Sequence, residues 1–199
     1  MAQIKVLVEG KHRFSGEKLE IGATATLIKT DKNIIVDPGY YPDKEELLKS
    51  LKNQGLSPED IDMVFLTHLH LDHTINIYLF PRAKIYCKLK SQDYPGQYQN
   101  LIEGSLVRVD LFDGSELAKD VEVLLTPGHM DGHMSILVNA PEGKIVIAGD
   151  AMAKESLVDI SKKPEIFNNL EEYDNSRRKI LEIADFIIPG HGPMFKVKR

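Results

Sequence analysis

The sequence predicts an α/β protein in which two β-sheets pack face to face with helices on the outside. Short apolar strands alternate with amphipathic helices along the 199 residues, and polar residues repeatedly follow the strand ends. Two parts of the chain also look like weak copies of each other. No Ser/Gly linker or low-complexity stretch interrupts the sequence, so we expect residues 1–199 to form a single domain.

The elements of the first half follow from these patterns in order. "IKVLVEG" is a first strand, and polar residues 11–20 form a hairpin tip or a flexible loop. "ATLIKTDKNIIVDPG" alternates as a hairpin of two strands. "PDKEELLKSLKNQG" is a helix with Asp43 as its N-cap and Gly55 after its end. "SPEDID" is a helical turn, and "MVFLTH" is a buried strand.

In the second half, "AKIYCKL" is a strand and "KSQDYPGQYQNLIEGS" is a polar loop. "LVRVDLF" and "VEVLLTPGH" are strands, and "MSILVNAPEGKIVIAGD" is a hairpin through a Pro-Glu-Gly turn. A helical pattern from about Leu170 to Ile183 leads to the last strand, "DFIIPGHG".

The internal repeat relates two hairpin–helix–strand units. In each unit the hairpin ends in an aspartate and the later strand ends in a histidine, which pairs Asp37 with Asp150 and His68 with His191. Two such units, packed sheet against sheet with their helices outside, bring these four residues to one edge of the structure.

Composition narrows the function classes. The hydrophobic fraction of 42% and charged fraction of 28% are ordinary for a globular protein. The net charge of −5 argues against a general nucleic-acid binder. Cys87 is the only cysteine, which excludes an internal disulfide and suits a reducing compartment, where it is a buried hydrophobe. No apolar run approaches the roughly 18 residues of a membrane span, so we expect a cytoplasmic protein.

The stretch "LTHLHLDHT" carries three of the seven histidines. In an extended segment His68, His70 and Asp72 share one face, with Leu69 and Leu71 packed inward, and a turn brings His73 to the same cavity. Four such groups exceed what one tetrahedral ion uses, so the sequence predicts two metals. Further candidate ligands stand at other strand ends: His129, Asp150 and His191. A cluster of solvated or core-capping histidines is the alternative, and the number of matched groups disfavours it.

These residues resemble the metallo-β-lactamase-fold hydrolases across nearly the whole chain. The resemblance rests on "VDPG", "HLHLDH", "TPGH", "AGD" and "PGHG", in that order. It implies an αββα sandwich of two mixed sheets, an α/β (α+β) fold, with a dinuclear site at one edge. The chain looks like a small stand-alone member, similar in size to the metallo-β-lactamase domain-containing protein 1 group.

By resemblance, one metal is held by His68, His70 and His129, and the other by Asp72, His73 and His191. Asp150 bridges the two, and Asp37 stands behind the ligands and steadies the motif loop. Zinc is the default metal, with manganese, iron, cobalt or nickel as alternatives.

The metals imply hydrolysis. Two divalent ions carry +4, and Asp72, Asp150 and a bridging hydroxide remove three charges, which leaves about +1 to attract polar or anionic esters. We expect the hydroxide to attack, with Asp72 and Asp150 as catalytic residues and Asp72 passing the proton to the leaving group.

Family patterns narrow the substrate. The β-lactam hydrolases of this fold usually carry Cys at the place of Asp150, and acyl-homoserine lactonases carry Tyr where this chain has Ala153. The expected activity is therefore cleavage of small phosphoesters, phosphotriesters, carboxyl esters or lactones, with promiscuity allowed. An RNA- or DNA-processing nuclease of the same fold and a mononuclear-iron persulfide dioxygenase stay open as alternatives.

Other residues and partners are less defined. His133, four residues after His129, is favoured as a supporting residue over a ligand, and His12 is expected at the surface. Residues 11–20, 76–104 and 152–168 are the loops expected to select the substrate. We expect a small-molecule ester as partner, no membrane and no nucleic acid, with a homodimer left open.

Overall fold

The computed structural model describes residues 1–88, 97–100 and 102–198. Within them the strands form two large sheets and one separate hairpin. The first sheet contains, in spatial order, β1 (Gln3–Val8), β4 (Ala25–Lys29), β5 (Asn33–Val36), β6 (Met63–Phe65), β7 (Lys84–Cys87), β8 (Gln97–Asn100) and β9 (Ser105–Arg108). The second contains β10 (Glu116–Ala118), β11 (Val121–Leu125), β12 (Met134–Ala140), β13 (Gly143–Gly149), β14 (Phe186–Pro189) and β15 (Phe195–Lys196). The hairpin pairs β2 (Lys11–Ser15) with β3 (Lys18–Gly22).

Within the described residues, three α-helices and several 3-10 turns connect the strands. The helices are α1 (Lys44–Asn53), α2 (Leu71–Thr74) and α3 (Leu170–Ile183). The 3-10 turns are Tyr41–Asp43, Pro58–Asp60, Ile75–Leu79, Asp150–Met152 and Glu155–Val158.

Side-chain alternation along the strands produces four layers. On β5, Ile34 and Val36 face the core between the two sheets, whereas Ile35 faces α1 and packs with Leu47 and Leu51. On β13, Ile145 and Ile147 face the same central core, whereas Val146 packs with Ile180 of α3. The order is therefore helix, sheet, sheet, helix, which confirms the predicted αββα sandwich.

Strand directions show that both sheets are mixed and that the two halves share one topology. β4 and β5 are antiparallel and β6 runs parallel to β5. In the second sheet β12 and β13 are antiparallel and β14 runs parallel to β13. The internal repeat predicted from the sequence therefore exists, and the parallel strands end at the same edge.

Two local predictions need correction. Asp43 occupies the N-cap position of α1, but its side chain makes no capping bond; Oδ1 instead accepts a hydrogen bond from Lys11 Nζ at 3.2 Å. The stretch predicted as a polar loop, residues 90–105, is not all loop, because β8 lies within it; of this stretch, residues 90–96 and 101 lie outside the described residues. Of the two alternatives for residues 11–20, the hairpin is the one observed.

In the described part of the chain, no helix is both long and apolar enough to cross a bilayer.

Candidate metal centre

The predicted site residues come together at one edge of the sandwich, each just after a strand. Asp37 follows β5 and the "HLHLDH" motif follows β6, while Asp150 and His191 follow β13 and β14. His129 comes from the loop after β11. Since parallel strands deliver their carboxyl ends to the same side, the sheet topology itself collects these side chains.

The motif does not continue the strand, as the sequence reasoning assumed. β6 ends at Phe65, and a short α2 begins at Leu71 with His70 as its N-cap. Leu69 and Leu71 are consequently 39% and 66% exposed, so the prediction that both pack inward was wrong. The helical turn, rather than strand alternation, aims Asp72 and His73 at the interior, where both are buried.

Four side chains form a first cluster, made of His68, His70, His129 and Asp150. Nδ1 of His70 lies 2.9 Å from Nε2 of His68 and 3.1 Å from Nε2 of His129. Asp150 Oδ2 lies 3.4 Å from Nε2 of His129 and 4.0 Å from Nε2 of His68. Ligands held at 2.0–2.1 Å around a tetrahedral zinc stand about 3.3 Å apart, so these separations fit one ion.

A second cluster consists of Asp72, His73 and His191. Oδ2 of Asp72 is 3.7 Å from Nε2 of both histidines. The other oxygen of Asp150, Oδ1, lies 3.5 Å from Nε2 of His73 and 3.3 Å from Nε2 of His191. One carboxylate thus faces both clusters, one oxygen toward each.

Buried atoms without partners test whether a cation fits the second cluster. Among the described residues, Asp72 Oδ2, His73 Nε2 and Asp150 Oδ1 are buried and accept or donate no hydrogen bond. Leaving a buried polar group unsatisfied is costly, and a charged group costs more. These three atoms point at one another, and a divalent ion between them would satisfy all three.

For His129 and His191, a hydrogen bond on the far side of the ring leaves the inward nitrogen as an acceptor. Nδ1 of His129 donates to the carbonyl of Ile166 at 3.1 Å, and Nδ1 of His191 donates to the carbonyl of Gly22 at 2.9 Å. A ring that is neutral and protonated at Nδ1 presents its Nε2 lone pair to the cluster.

Asp37 organises the motif from behind. Its Oδ1 accepts from the backbone N–H of Thr67 at 2.8 Å, and its Oδ2 accepts from the Thr67 hydroxyl at 2.7 Å. Oδ2 also lies 2.8 Å from Nδ1 of His73. The Thr67 oxygen is in turn 3.0 Å from Nδ1 of His68. Asp37 therefore orients one histidine of each cluster.

The ionisation of these groups follows from burial and from their neighbours. Burial lowers the pKa of His68, His129 and His133, which favours the neutral imidazole that can bind a metal. Burial also opposes the charged form of His73, but Asp37 and Asp150 outweigh it and hold its pKa well above the usual value. Burial disfavours the Asp150 carboxylate, yet His73 and His191 keep its pKa well below the usual range.

His133 lies beside the clusters rather than in them. It is buried, its ring stacks on that of His68 with centroids 5.2 Å apart, and its Nδ1 is 2.9 Å from the Thr126 hydroxyl. Its position fits the supporting role that the sequence favoured over a ligand role.

A cavity of about 170 Å³ opens in front of both clusters. One wall is the β2–β3 hairpin, through His12 and Ile21, and the other is the segment 153–166. Residues 11–20 and 152–168 were both expected to shape the site. No described residue of 76–104 lines the cavity.

His12 and three lysines also line the cavity, although none of them was predicted from the sequence to belong to the site. His12 was expected at the surface, but its side chain is only 12% exposed and its ring lies 5.5 Å from that of His191. Lys154, Lys162 and Lys163 line the cavity from the opposite wall. The pair Lys162 and Lys163 could have indicated this wall of the cavity, but two adjacent lysines most often lie on a solvated surface.

Comparisons with known proteins show which family this chain resembles. The family model of the metallo-β-lactamase superfamily matches residues 20–191. Metallo-β-lactamase domain-containing protein 1 of Xenopus laevis is 36% identical over 98% of this chain and 81% of that protein. The human protein of that name is 34% identical over 89% of this chain, and the match covers 65% of its length. A probable metallo-hydrolase of Methanocaldococcus jannaschii is 30% identical over 83% of this chain and 74% of that protein.

Solved structures share the fold. A Thermotoga maritima protein assigned to the metallo-β-lactamases superposes with a TM-score of 0.73 at 26% identity, covering 98% of this chain and 99% of that one. An N-acyl homoserine lactone hydrolase, with its product bound at the catalytic metal centre, gives a TM-score of 0.69 at 18% identity, covering 96% and 92%. The chain therefore belongs to the metallo-β-lactamase superfamily and has its fold.

Proposed function

We propose that this protein is a dinuclear metal-dependent hydrolase of small esters. The observation that supports it most is the position of Asp150, which directs one oxygen to each cluster at 3.3–3.5 Å from the nearest ligand nitrogens. A carboxylate so placed would hold two ions side by side. His68, His70 and His129 would complete the first metal site, and Asp72, His73 and His191 the second.

When bound, two divalent ions would lower the pKa of a water molecule toward neutrality and polarise the oxygen of the ester. Zinc suits the mixture of imidazole and carboxylate ligands, with manganese, iron, cobalt and nickel as alternatives. Hydrolysis then adds the hydroxyl of water to the acyl or phosphoryl centre and its proton to the leaving alcohol.

The chain's own residues would handle that proton. Asp72 directs Oδ2 at the histidines of the second cluster and also lines the cavity. Its other oxygen is thereby available to take a proton from the attacking water and deliver it to the leaving oxygen. Asp150, with both oxygens turned to the clusters, would hold the metals rather than move protons.

The dimensions of the cavity favour a small substrate. About 170 Å³ accommodates the reacting part of an ester, and Ile21, Leu157 and Ile166 add apolar surface beside the clusters. Both features, with the net charge of −5, support a small molecule over a nucleic acid.

The direct test is turnover of a chromogenic panel by the metal-loaded protein and by Asp72→Asn. The panel contains p-nitrophenyl carboxyl esters, phosphomonoesters, phosphodiesters, phosphotriesters and lactones. We expect at least one ester class to be hydrolysed, with kcat falling about 10²–10⁴-fold in the variant, the usual contribution of a positioned acid or base. Oxygen consumption with glutathione persulfide, together with no ester turnover, would instead identify the protein as a persulfide dioxygenase.

A further inference from the structure

The cavity wall opposite the hairpin carries a net positive charge. Lys154, Lys162, Lys163 and Glu165 line the cavity, which gives this wall a net charge of +2. The whole chain has a net charge of −5. Two other acids of the same segment, Glu155 and Asp159, do not line the cavity. The three lysines of this segment therefore line the cavity, whereas two of its three acidic residues do not.

The lysines differ in whether a carboxylate already neutralises them. Nζ of Lys154 lies 2.8 Å from Oε1 of Glu165, whose other oxygen is 3.6 Å from Nε2 of His12. Among the described residues, neither Lys162 nor Lys163 forms an ion pair. Asp159 is near Lys162, but its Oδ1 accepts from both the backbone and the hydroxyl of Ser161. Neither ammonium group is therefore paired with a carboxylate at ion-pair distance within the described residues.

The backbone beneath these lysines is held rigidly. Arg177 is completely buried, and its guanidinium donates to the carbonyls of Leu157 at 2.8 Å, Ile160 at 3.1 Å and Lys162 at 3.1 Å. A fixed backbone lowers the entropy lost when the lysines bind a ligand. Lys163 is further oriented by the ring of Phe167, with Nζ 4.9 Å from its centroid.

We infer that Lys162 and Lys163 form a subsite for a second anionic group of the substrate. The inference rests on the proposed hydrolase function, because the scissile ester would occupy the clusters while the second group reaches the lysines. The substrate is then a small ester that also carries a carboxylate or a phosphate. Arg177 is a positioning residue, since it holds the segment and would not touch the ligand.

Binding without turnover tests the subsite directly. Succinate, glutarate and adipate are titrated calorimetrically into the metal-loaded protein, each beside its monoamide, which has no ester bond to be hydrolysed. Both members of a pair offer one carboxylate to the metals, and only the diacid offers a second to the lysines. The matching phosphonocarboxylates distinguish a phosphate-bearing substrate from a carboxylate-bearing one.

The variants are Lys162→Gln with Lys163→Gln, and a control with the same charge change on α1, Lys49→Gln with Lys52→Gln. For at least one chain length we expect the diacid to bind about tenfold more tightly than its monoamide, the scale of two exposed charge pairs. The preference should vanish in the first double variant, persist in the control, and weaken as salt rises. Thermal melts establish that both variants are folded.

Three results would overturn the subsite. Diacids and monoamides bind equally in the parent protein, or the preference survives in Lys162→Gln with Lys163→Gln. Alternatively, a short single-stranded RNA binds tightly and loses that binding in the same variant, which assigns the lysines to a nucleic-acid backbone. Ester turnover is scored separately, so an inactive enzyme that still prefers diacids would refute the hydrolase proposal and leave the anion subsite intact.

Discussion

Asp37 Oδ2 lies 2.8 Å from Nδ1 of His73, and both residues are almost completely buried. The same oxygen accepts a hydrogen bond from Thr67, so the carboxylate fixes both the ring of His73 and the start of the motif. Asp37 adopts a φ of 50°, an uncommon conformation for a residue other than glycine, directly after β5. This bend in the backbone brings the carboxylate to the side of the His73 ring that faces away from the second cluster.

Asp37→Asn should reduce metal binding and activity by about 10–100-fold, as changes behind metal ligands typically do. An amide nitrogen at the place of Oδ2 would donate to Nδ1 of His73 and force the ring proton onto Nε2, the atom that faces Asp72 and Asp150. Metal titration and kcat/KM measure the effect. The control is Asp31→Asn, whose exposed carboxylate accepts from Lys119 N–H. Equal metal affinity in both variants would show that Asp37 does not contribute to metal binding.

Gly190→Ala should disturb the shared carboxylate. A Cβ at this position would overlap Oδ1 of Asp150 and approach the Gly149 carbonyl at 3.0 Å. We expect fewer bound metals and at least about a tenfold loss of kcat/KM, because Asp150 must turn away from the second cluster. Gly114→Ala is the comparison: it has open space but a φ of +80°, so it should lose stability through backbone strain and keep its metals. Full metal content in Gly190→Ala would speak against the steric argument.

Arg177→Met should lower the free energy of unfolding by about 3 kcal/mol. The substitution removes the buried donor from the carbonyls of Leu157, Ile160 and Lys162, and leaves Asp174 without its ion-pair partner. Arg178→Met, on the exposed side of the same helix, should change stability by about 0.5 kcal/mol or less. Urea denaturation compares the two, and similar midpoints would show that Arg177 does not anchor the segment 157–162.

Cys87 should be unreactive in the folded protein. The residue is 8% exposed, and burial raises the pKa of its thiol, partly offset by a hydrogen bond with Gln97. The thiolate is the reactive form, so modification by a disulfide reagent at pH 8 should be at least about tenfold slower than in urea. Equal rates in the folded and unfolded protein would mean that β7 opens readily.

Much of this architecture follows from local sequence patterns. The repeated hairpin–helix–strand order predicted that Asp37, His68, Asp150 and His191 meet at one edge, because parallel strands end together. The hairpin patterns of the sequence also predicted the strand pairs β4–β5 and β12–β13. Those inferences need only the pleat of a strand and the handedness of its connections.

Other features depend on distant contacts that no local pattern encodes. Strand alternation placed Leu69 and Leu71 inside, but the chain turns into α2 after His70 and exposes both. His12 reaches the cavity only because the β2–β3 hairpin folds over it. The side chain of Asp43 was predicted to cap α1, but it instead accepts a hydrogen bond from Lys11, which is 32 residues away in the sequence. Tertiary partners decided each case.

The most direct test of the paired metal site is the metal content of the purified protein, measured by elemental mass spectrometry. We expect about two divalent ions per chain in the parent, about one in His129→Ala, and well below two in Asp150→Ala, because Asp150 serves both clusters. Metal-free protein should melt at a lower temperature and recover when metal is restored. One ion per chain in the parent, unchanged by Asp150→Ala, would contradict a shared carboxylate between two metals.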